Sequence, residues 1–155
     1  MKIGVISDTH DNVIKVKSAV DLFNKEKVDF VVHCGDYVAP FSLMPFASLS
    51  CDWVGVFGNC DGEKNGLKKR SENRIQEPPL ILNFDNKKII VVHDIKDYKG
   101  EKADVVLFGH THNVEVRKGD KALFVNPGEA AGWLTGESTV AIIDTDTLKV
   151  DIKDI

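Results

Sequence analysis

Short apolar runs punctuate the chain at Ile3–Ile6, Phe30–Val32, Trp53–Phe57, Ile89–Val92, Val105–Phe108, Leu123–Val125 and Val140–Ile143. Their brevity and their content of Val, Ile and Phe are the signature of buried strands. Between the first two runs, Val13, Val16, Ala19, Val20 and Phe23 recur at helical spacing, with Lys15, Lys17, Asp21 and Lys25 on the opposite face. Asp11 and Asn12 are candidate N-caps for this helix. The segment Pro40–Ser50 carries Phe41, Leu43, Met44, Phe46 and Leu49 and reads as a short, mostly buried helix. Asp61–Pro79, with Lys64, Lys68, Lys69, Arg70 and Arg74, is the most polar stretch. It reads as a solvated loop with a helical turn or more, ending at Pro78-Pro79. Asp85-Asn86 predicts a hairpin between Ile81–Phe84 and Lys87–Val92, and Asp144–Thr147 a second between Thr139–Ile143 and Leu148–Ile152. The order of elements predicts a layered α/β sandwich whose sheet is parallel at first and antiparallel toward the C-terminus.

Composition narrows the class without naming a chemistry. The chain has 155 residues, 43% hydrophobic and 28% charged, as expected for a single globular domain over residues 1–155. A net charge of -4 argues against a broad nucleic-acid surface and does not oppose cations. Cys34, Cys51 and Cys60 form no paired framework and no CxxC motif, which fits a reduced, cytoplasmic setting. The opening apolar run stops at Asp8, too short for a signal peptide, and no window approaches the roughly 18 apolar residues of a membrane span.

The informative feature is where His, Asp and Asn fall. Five strand candidates are followed at once by such residues: Asp8-Thr9-His10, His33-Cys34-Gly35-Asp36, Gly58-Asn59-Cys60-Asp61, His93-Asp94 and Gly109-His110-Thr111-His112. All 5 histidines of the chain lie in these segments. Ligands of α/β sheets bind outside the carboxyl ends of strands, so parallel strands would bring these groups together. Bare carboxylates and imidazoles packed there would be costly, and a divalent metal removes the conflict. Nitrogen and carboxylate donors suit manganese, iron, zinc, cobalt or nickel better than calcium. Asp8 and His10, like His110 and His112, are spaced to point to one side of an extended strand. The glycines before Asp36, Asn59 and His110 would let the backbone turn tightly. The set is large enough for two ions roughly 3.5–4 Å apart, the arrangement that clamps a phosphate and activates water. His33 has the opposite strand parity to Asp36 and reads as a packed or supporting residue.

In this order the five segments resemble the motifs of the calcineurin-like metallophosphoesterase superfamily. The short chain, the opening Ile6-Ser7-Asp8-Thr9-His10-Asp11-Asn12 and the triplet Asn126-Pro127-Gly128 are similar to its small YfcE/MJ0936-type phosphodiesterase branch, which shares its fold with the Vps29 retromer subunit. The resemblance implies a four-layer αββα sandwich with two mixed β-sheets. It implies that Asp8, His10, Asp36 and His112 hold one metal, and that Asp36, Asn59, His93 and His110 hold another, with Asp36 bridging. Asp36, Asn59 and His93 would then be central to catalysis, and Asn12, Asn59, Cys60 and Thr111 would meet the substrate. The implied reaction is hydrolysis of a phosphodiester, or a phosphomonoester, by metal-activated water attacking in line.

Two departures from the family pattern stand out. Many relatives carry His after the Gly-Asn pair, where it can protonate the leaving alkoxide. Cys60 stands there in this chain, and a thiol is a poor substitute for imidazolium. This predicts slow turnover of alkyl esters and faster turnover of aryl esters. The family's His-Gly-His is replaced by His93-Asp94-Ile95, and the segment before Val105 is too short for a long helix. Asp94 could support His93 or repel anionic substrates. The alternative to catalysis is a Vps29-like metal-binding scaffold for protein partners. Phe41, Phe46, Trp133 and Leu134 could supply its apolar patch, or a contact between copies in a homo-oligomer, or simply core. Every expected metal position is filled, which favours an enzyme acting on a small phosphoester in a shallow, open site. A nuclease is disfavoured by the charge and the short length.

Overall fold

The computed structural model describes residues 1–84 and 86–155. Its strands are β1 (Lys2–Ile6), β2 (Phe30–His33), β3 (Asp52–Val56), β4 (Ile75–Gln76), β5 (Leu80–Phe84), β6 (Lys87–Val91), β7 (Val105–Leu107), β8 (Val114–Lys118), β9 (Leu123–Pro127), β10 (Thr139–Asp144) and β11 (Val150–Asp154). The α-helices are α1 (Val13–Glu26) and α2 (Lys64–Arg70), and two 3-10 segments cover Pro40–Ser48 and Ile95–Asp97.

The strands form two mixed sheets. One has the order β11-β10-β1-β2-β3-β4 and the other β5-β6-β7-β9-β8. In the first, β1 to β4 run parallel while β10 and β11 are antiparallel. In the second, β6, β7 and β9 run parallel between antiparallel edges. The expectation of a sheet that is parallel first and antiparallel last thus describes the first sheet alone. Ile3, Val5, Val32 and Val56 of the first sheet pack against Ile89, Val91, Val105, Leu107 and Val125 of the second. The two alternating inner faces make the central core.

Each outer face is closed differently. On the first sheet, Val16, Ala19, Val20 and Phe23 of α1 pack with Leu43 and Phe46 from the 3-10 segment. Asn12, not Asp11, caps α1, its side chain accepting from the Lys15 N–H at 3.2 Å. Asp11 instead accepts from the Ala39 N–H at 2.9 Å. On the second sheet the cover is thin: Ile95 and Tyr98 lie over Ile90, Val92, Val106 and Phe108. This matches the expectation that no long helix fits after His93.

Several boundaries differ from those expected. The Pro40 helix is of the 3-10 type, with Pro45 inside it. Strand β8 was not anticipated, because Val114 and Val116 are its only apolar residues and both are exposed on a sheet edge. Strand β11 starts at Val150 and not at Leu148, whose φ of 56° places it in the turn. In the expected hairpin at Asp85-Asn86, Asp85 lies outside the described residues; Phe84 and Lys87 pair on either side of it. Among the described residues, no helix is long and apolar enough to cross a membrane.

Candidate metal centre

The carboxyl ends of β1, β2 and β3 meet those of β6 and β7 from the other sheet, and this brings the expected residues together. Ligand atoms of Asp8, His10 and His112 lie within 4.8 Å of one another, as do those of Asp8, Asp36 and His93, and those of His10, Asp36 and Cys60. Asp36 Oδ2 lies 3.6 Å from His10 Nε2 and 3.4 Å from His93 Nε2. Asp8 Oδ1 lies 3.5 Å from His112 Nε2. Asn59 Oδ1 sits between His93 Nε2 at 2.9 Å and His110 Nδ1 at 2.8 Å.

The convergence has a different cause from the one the spacing suggested. Asp8, His10, Asp36, His110 and His112 have φ of 54°, 37°, 61°, 67° and 61°. These are left-handed turns, not extended strand. Asp and His tolerate this region better than most residues, at some cost in strain. The glycines also act in an unexpected way. Of the three before Asp36, Asn59 and His110, Gly35 alone has a positive φ, 106°. Gly58 and Gly109 are needed for space: a Cβ at Gly58 would fall on Asp36 Oδ1, and one at Gly109 would lie 2.6 Å from Asp8 Oδ2.

Electrostatics show why a cation fits. His93 Nδ1 donates to the Cys34 carbonyl at 2.8 Å, so its Nε2 faces Asp36 and Asn59 oxygens with a lone pair or a second proton. Burial alone would depress the His93 pKa, but Asp36 beside it holds it above the ordinary value. Burial likewise opposes ionisation of Asp36, yet His93 and the Cys60 N–H hold its carboxyl down at about 2. Burial raises Asp8. His10 Nε2 is buried without a hydrogen-bond partner among the described residues, between the carboxylates of Asp8 and Asp36. Carboxylates, imidazole nitrogens and a carboxamide oxygen aimed at shared space are the donor set of a borderline divalent metal.

The remaining expected residues sit around this cluster. Asn12 caps α1 through Oδ1 and donates one Nδ2 N–H to the Ala131 carbonyl at 2.9 Å. The Thr111 hydroxyl takes a bond from Asn126 at 3.0 Å, and Asn126 also holds the Gly109 carbonyl and the Gly128 N–H. Partial burial and the neighbouring Asp36 push the Cys60 thiol up to about 11. His33 is fully buried, bonded to Thr9 and the Gly35 N–H and stacked on Tyr37, as its parity suggested. Asp94 faces His110, with Oδ2 3.6 Å from Nε2, and caps the Ile95–Asp97 turn. Phe46 is core, whereas Phe41, Trp133 and Leu134 are exposed.

Two carboxylates had no role assigned in the sequence. Asp61 accepts the N–H groups of Asp36, Tyr37, Val38 and Gly58, at 2.7–3.1 Å, and so pins two strand ends together. Glu129 Oε1 lies 3.2 Å from His112 Nδ1. Beside the cluster runs a groove of about 300 Å³ lined by Phe57, Asn59, Lys64, Glu77, Asp94 and His110.

A two-sheet α/β sandwich that collects such donors at its strand ends has the architecture of a metal-dependent hydrolase. Residues 1–148 match the calcineurin-like phosphoesterase superfamily domain, and the chain belongs to that superfamily of hydrolases. It is 38% identical over 156 residues to the phosphodiesterase MJ0936 of Methanocaldococcus jannaschii, covering 94% of each chain. The solved structure of an archaeal phosphodiesterase aligns with all of both chains at 34% identity and a TM-score of 0.93. Vps29 of Chaetomium thermophilum aligns with 100% of this chain and 95% of its own at a TM-score of 0.70; at 18% identity, that likeness is one of fold.

Proposed function

We propose that this protein is a cytoplasmic, single-domain phosphodiesterase that holds two divalent ions, of manganese, nickel, iron, cobalt or zinc. The observation that carries the reading is Asp36 Oδ2, which stands between His10 Nε2 at 3.6 Å and His93 Nε2 at 3.4 Å. One carboxylate is thereby shared by two donor sets: Asp8, His10 and His112 on one side, and Asn59, His93 and His110 on the other. The resemblance to named phosphodiesterases supports a small diester as substrate. The chemistry supplied with the ions in place is activation of a water and neutralisation of charge on the phosphoryl oxygens. The residues do the rest. The Cys34 carbonyl keeps the His93 proton on Nδ1 and leaves Nε2 free for the site. Gly58 lets the Asn59 turn pass close against Asp36. Cys60, at the exposed rim, leaves the departing oxygen without an imidazolium to protonate it.

The test is hydrolysis of matched aryl and alkyl phosphodiesters and monoesters after loading with each of the five metals, with Asn59→Ala and His93→Ala beside the wild type. Aryl diester hydrolysis that both variants abolish is expected. Inactivity with every metal would move the assignment to a Vps29-like scaffold, a reading otherwise disfavoured by the complete donor set.

A further inference from the structure

Glu129 lies two residues beyond the end of β9 at Pro127, after Gly128, and its side chain is 0% exposed. A carboxylate buried to this degree needs donors to offset its lost hydration. It has them on both oxygens. Oε1 accepts from the N–H groups of Trp133 at 3.0 Å and Leu134 at 3.2 Å. Oε2 accepts from the N–H groups of Leu134 at 3.1 Å and Thr135 at 3.0 Å, and from the Thr135 hydroxyl at 3.0 Å. The loop closes around the anion as a nest of backbone donors.

That loop is in turn fastened to the strand end that carries Asp8 and His10. The Ala130 N–H donates to the Ser7 carbonyl and the Ala131 N–H to the Asp8 carbonyl, both at 3.0 Å. Trp133 Nε1 donates to the His10 carbonyl at 3.1 Å. The carboxylate therefore has a fixed address relative to the metal-binding cluster.

What it faces there is His112. The Nδ1 atom of His112 lies 3.2 Å from Glu129 Oε1 and is buried with no aligned hydrogen-bond partner among the described residues. Hydrogen bonds of metal-free sites are often imperfectly aligned in this way. The other nitrogen, Nε2, lies 3.5 Å from Asp8 Oδ1. A neutral imidazole has one proton to place. Both nitrogens face a carboxylate, and the nearer one, Glu129 at 3.2 Å against Asp8 at 3.5 Å, draws the proton to Nδ1 and leaves the Nε2 lone pair pointing into the cluster. Carboxylates behind metal-bound histidines fix the tautomer and orientation of the ring in this way.

We propose that Glu129 is a positioning residue of the reaction: it holds His112 as the Nδ1–H tautomer, with Nε2 aimed at the ion beside Asp8 and His10. This rests on the reading of that cluster as a metal site. Glutamine cannot replace it, because its NH₂ would confront a donor whichever way the amide turned, toward His112 or toward the loop.

The test has two arms on the full chain. In the first, ¹⁵N–¹H spectra of the metal-free protein, above the pH range in which histidine protonates, report the His112 tautomer, with His112→Asn assigning the signal. In the second, calorimetry measures zinc affinity. The wild type should show the Nδ1–H tautomer. Glu129→Gln should shift it toward Nε2–H and weaken zinc binding roughly 10–100-fold. Thr135→Val, which removes one donor to Glu129 and touches no ligand, should shift both in the same direction by less, and it decides the matter if Glu129→Gln does not fold. An Nε2–H tautomer in the wild type, or variants with wild-type tautomer and affinity, overturns the proposal. A wild type that takes up no zinc overturns the metal-site reading instead, and the tautomer arm still judges Glu129 separately.

Discussion

Asp8, His10 and His112 expose 0%, 18% and 15% of their side chains, whereas His110 exposes 38% and Asn59 lies at the surface. The enclosed half of the site is backed by Glu129, whose carboxylate is held by a closed loop. The open half is backed by Asp94, 23% exposed, on a short turn beside the groove. Low local dielectric strengthens charge interactions inside a site, and fixed dipoles cost nothing to reorganise. On the proposed two-ion reading, the enclosed half would hold its cation firmly, and the open half would give up some of that grip in exchange for access to substrate and solvent. His93, 5% exposed, and Asp36, 2% exposed, form the seam between them.

The sharpest way to break this comparison is to remove the seam. Asp36→Asn should lower kcat/KM for an aryl phosphodiester by on the order of 10³-fold, since both donor sets lose their shared charge. A loss below about tenfold would mean that the halves do not share a ligand. Next in size is metal affinity. His112→Ala should weaken the tighter of two calorimetric binding events by roughly 100-fold, while His110→Ala should affect the weaker event and by less. Equal losses in a single event would erase the distinction. Third is the leaving-group effect at the open rim. Cys60→His should raise alkyl diester turnover by about tenfold or more and leave aryl turnover nearly unchanged, as supplying a general acid does for poor leaving groups alone. Matched increases on both substrates would sink the assignment of the Cys60 position as the missing acid.

The same contrast explains what could be read in the sequence. Asp8, His10, Asp36, Asn59, His93, His110 and His112 were visible because scarce, chemically distinctive residue types recur directly after apolar runs. Their convergence was legible; its cause was not, since left-handed φ at Asp8 or His110 leaves no mark in a spacing argument. Glu129, and the loop-pinning role of Asp61, were out of reach for a deeper reason. Their partners are backbone N–H groups, and every residue but proline carries one. A carboxylate that organises a loop looks in sequence like any surface acid. Strand β8 escaped because an edge strand need not bury its apolar residues, and Val114 and Val116 are 44% and 47% exposed. The division into two sheets likewise has no signature in the order of strands, because the chain passes to the second sheet between β4 and β5, where prolines are the main mark, and returns to the first between β9 and β10.

The smallest expected effect lies in the pH dependence of stability, and its direction depends on whether a cation or a proton joins the two halves. In the metal-free protein the His93 pKa is raised: burial works against the charged ring, and Asp36 more than compensates. A raised histidine contributes stability that is fully present below its unfolded value of about 6.5 and is lost as pH climbs through the folded value. Asp36, held at about 2, acts in the opposite direction and in another window. Its contribution is present above the unfolded value of about 3.9 and disappears only as pH falls through about 2. Buried His33, whose pKa is held well below the ordinary value, opposes this trend up to its unfolded value of about 6.5; between about pH 7 and about pH 8 His93 therefore sets the trend, and the melting temperature of chelator-treated protein should decline. Loading with manganese should abolish or reverse the decline, because a cation takes the place of the proton and binds more tightly as its ligands deprotonate. Thermal melts across that range, with and without metal, check both signs. A metal-free melting temperature that rises with pH would mean that Asp36 and His93 are not coupled in the folded protein, and the seam would no longer be a single unit.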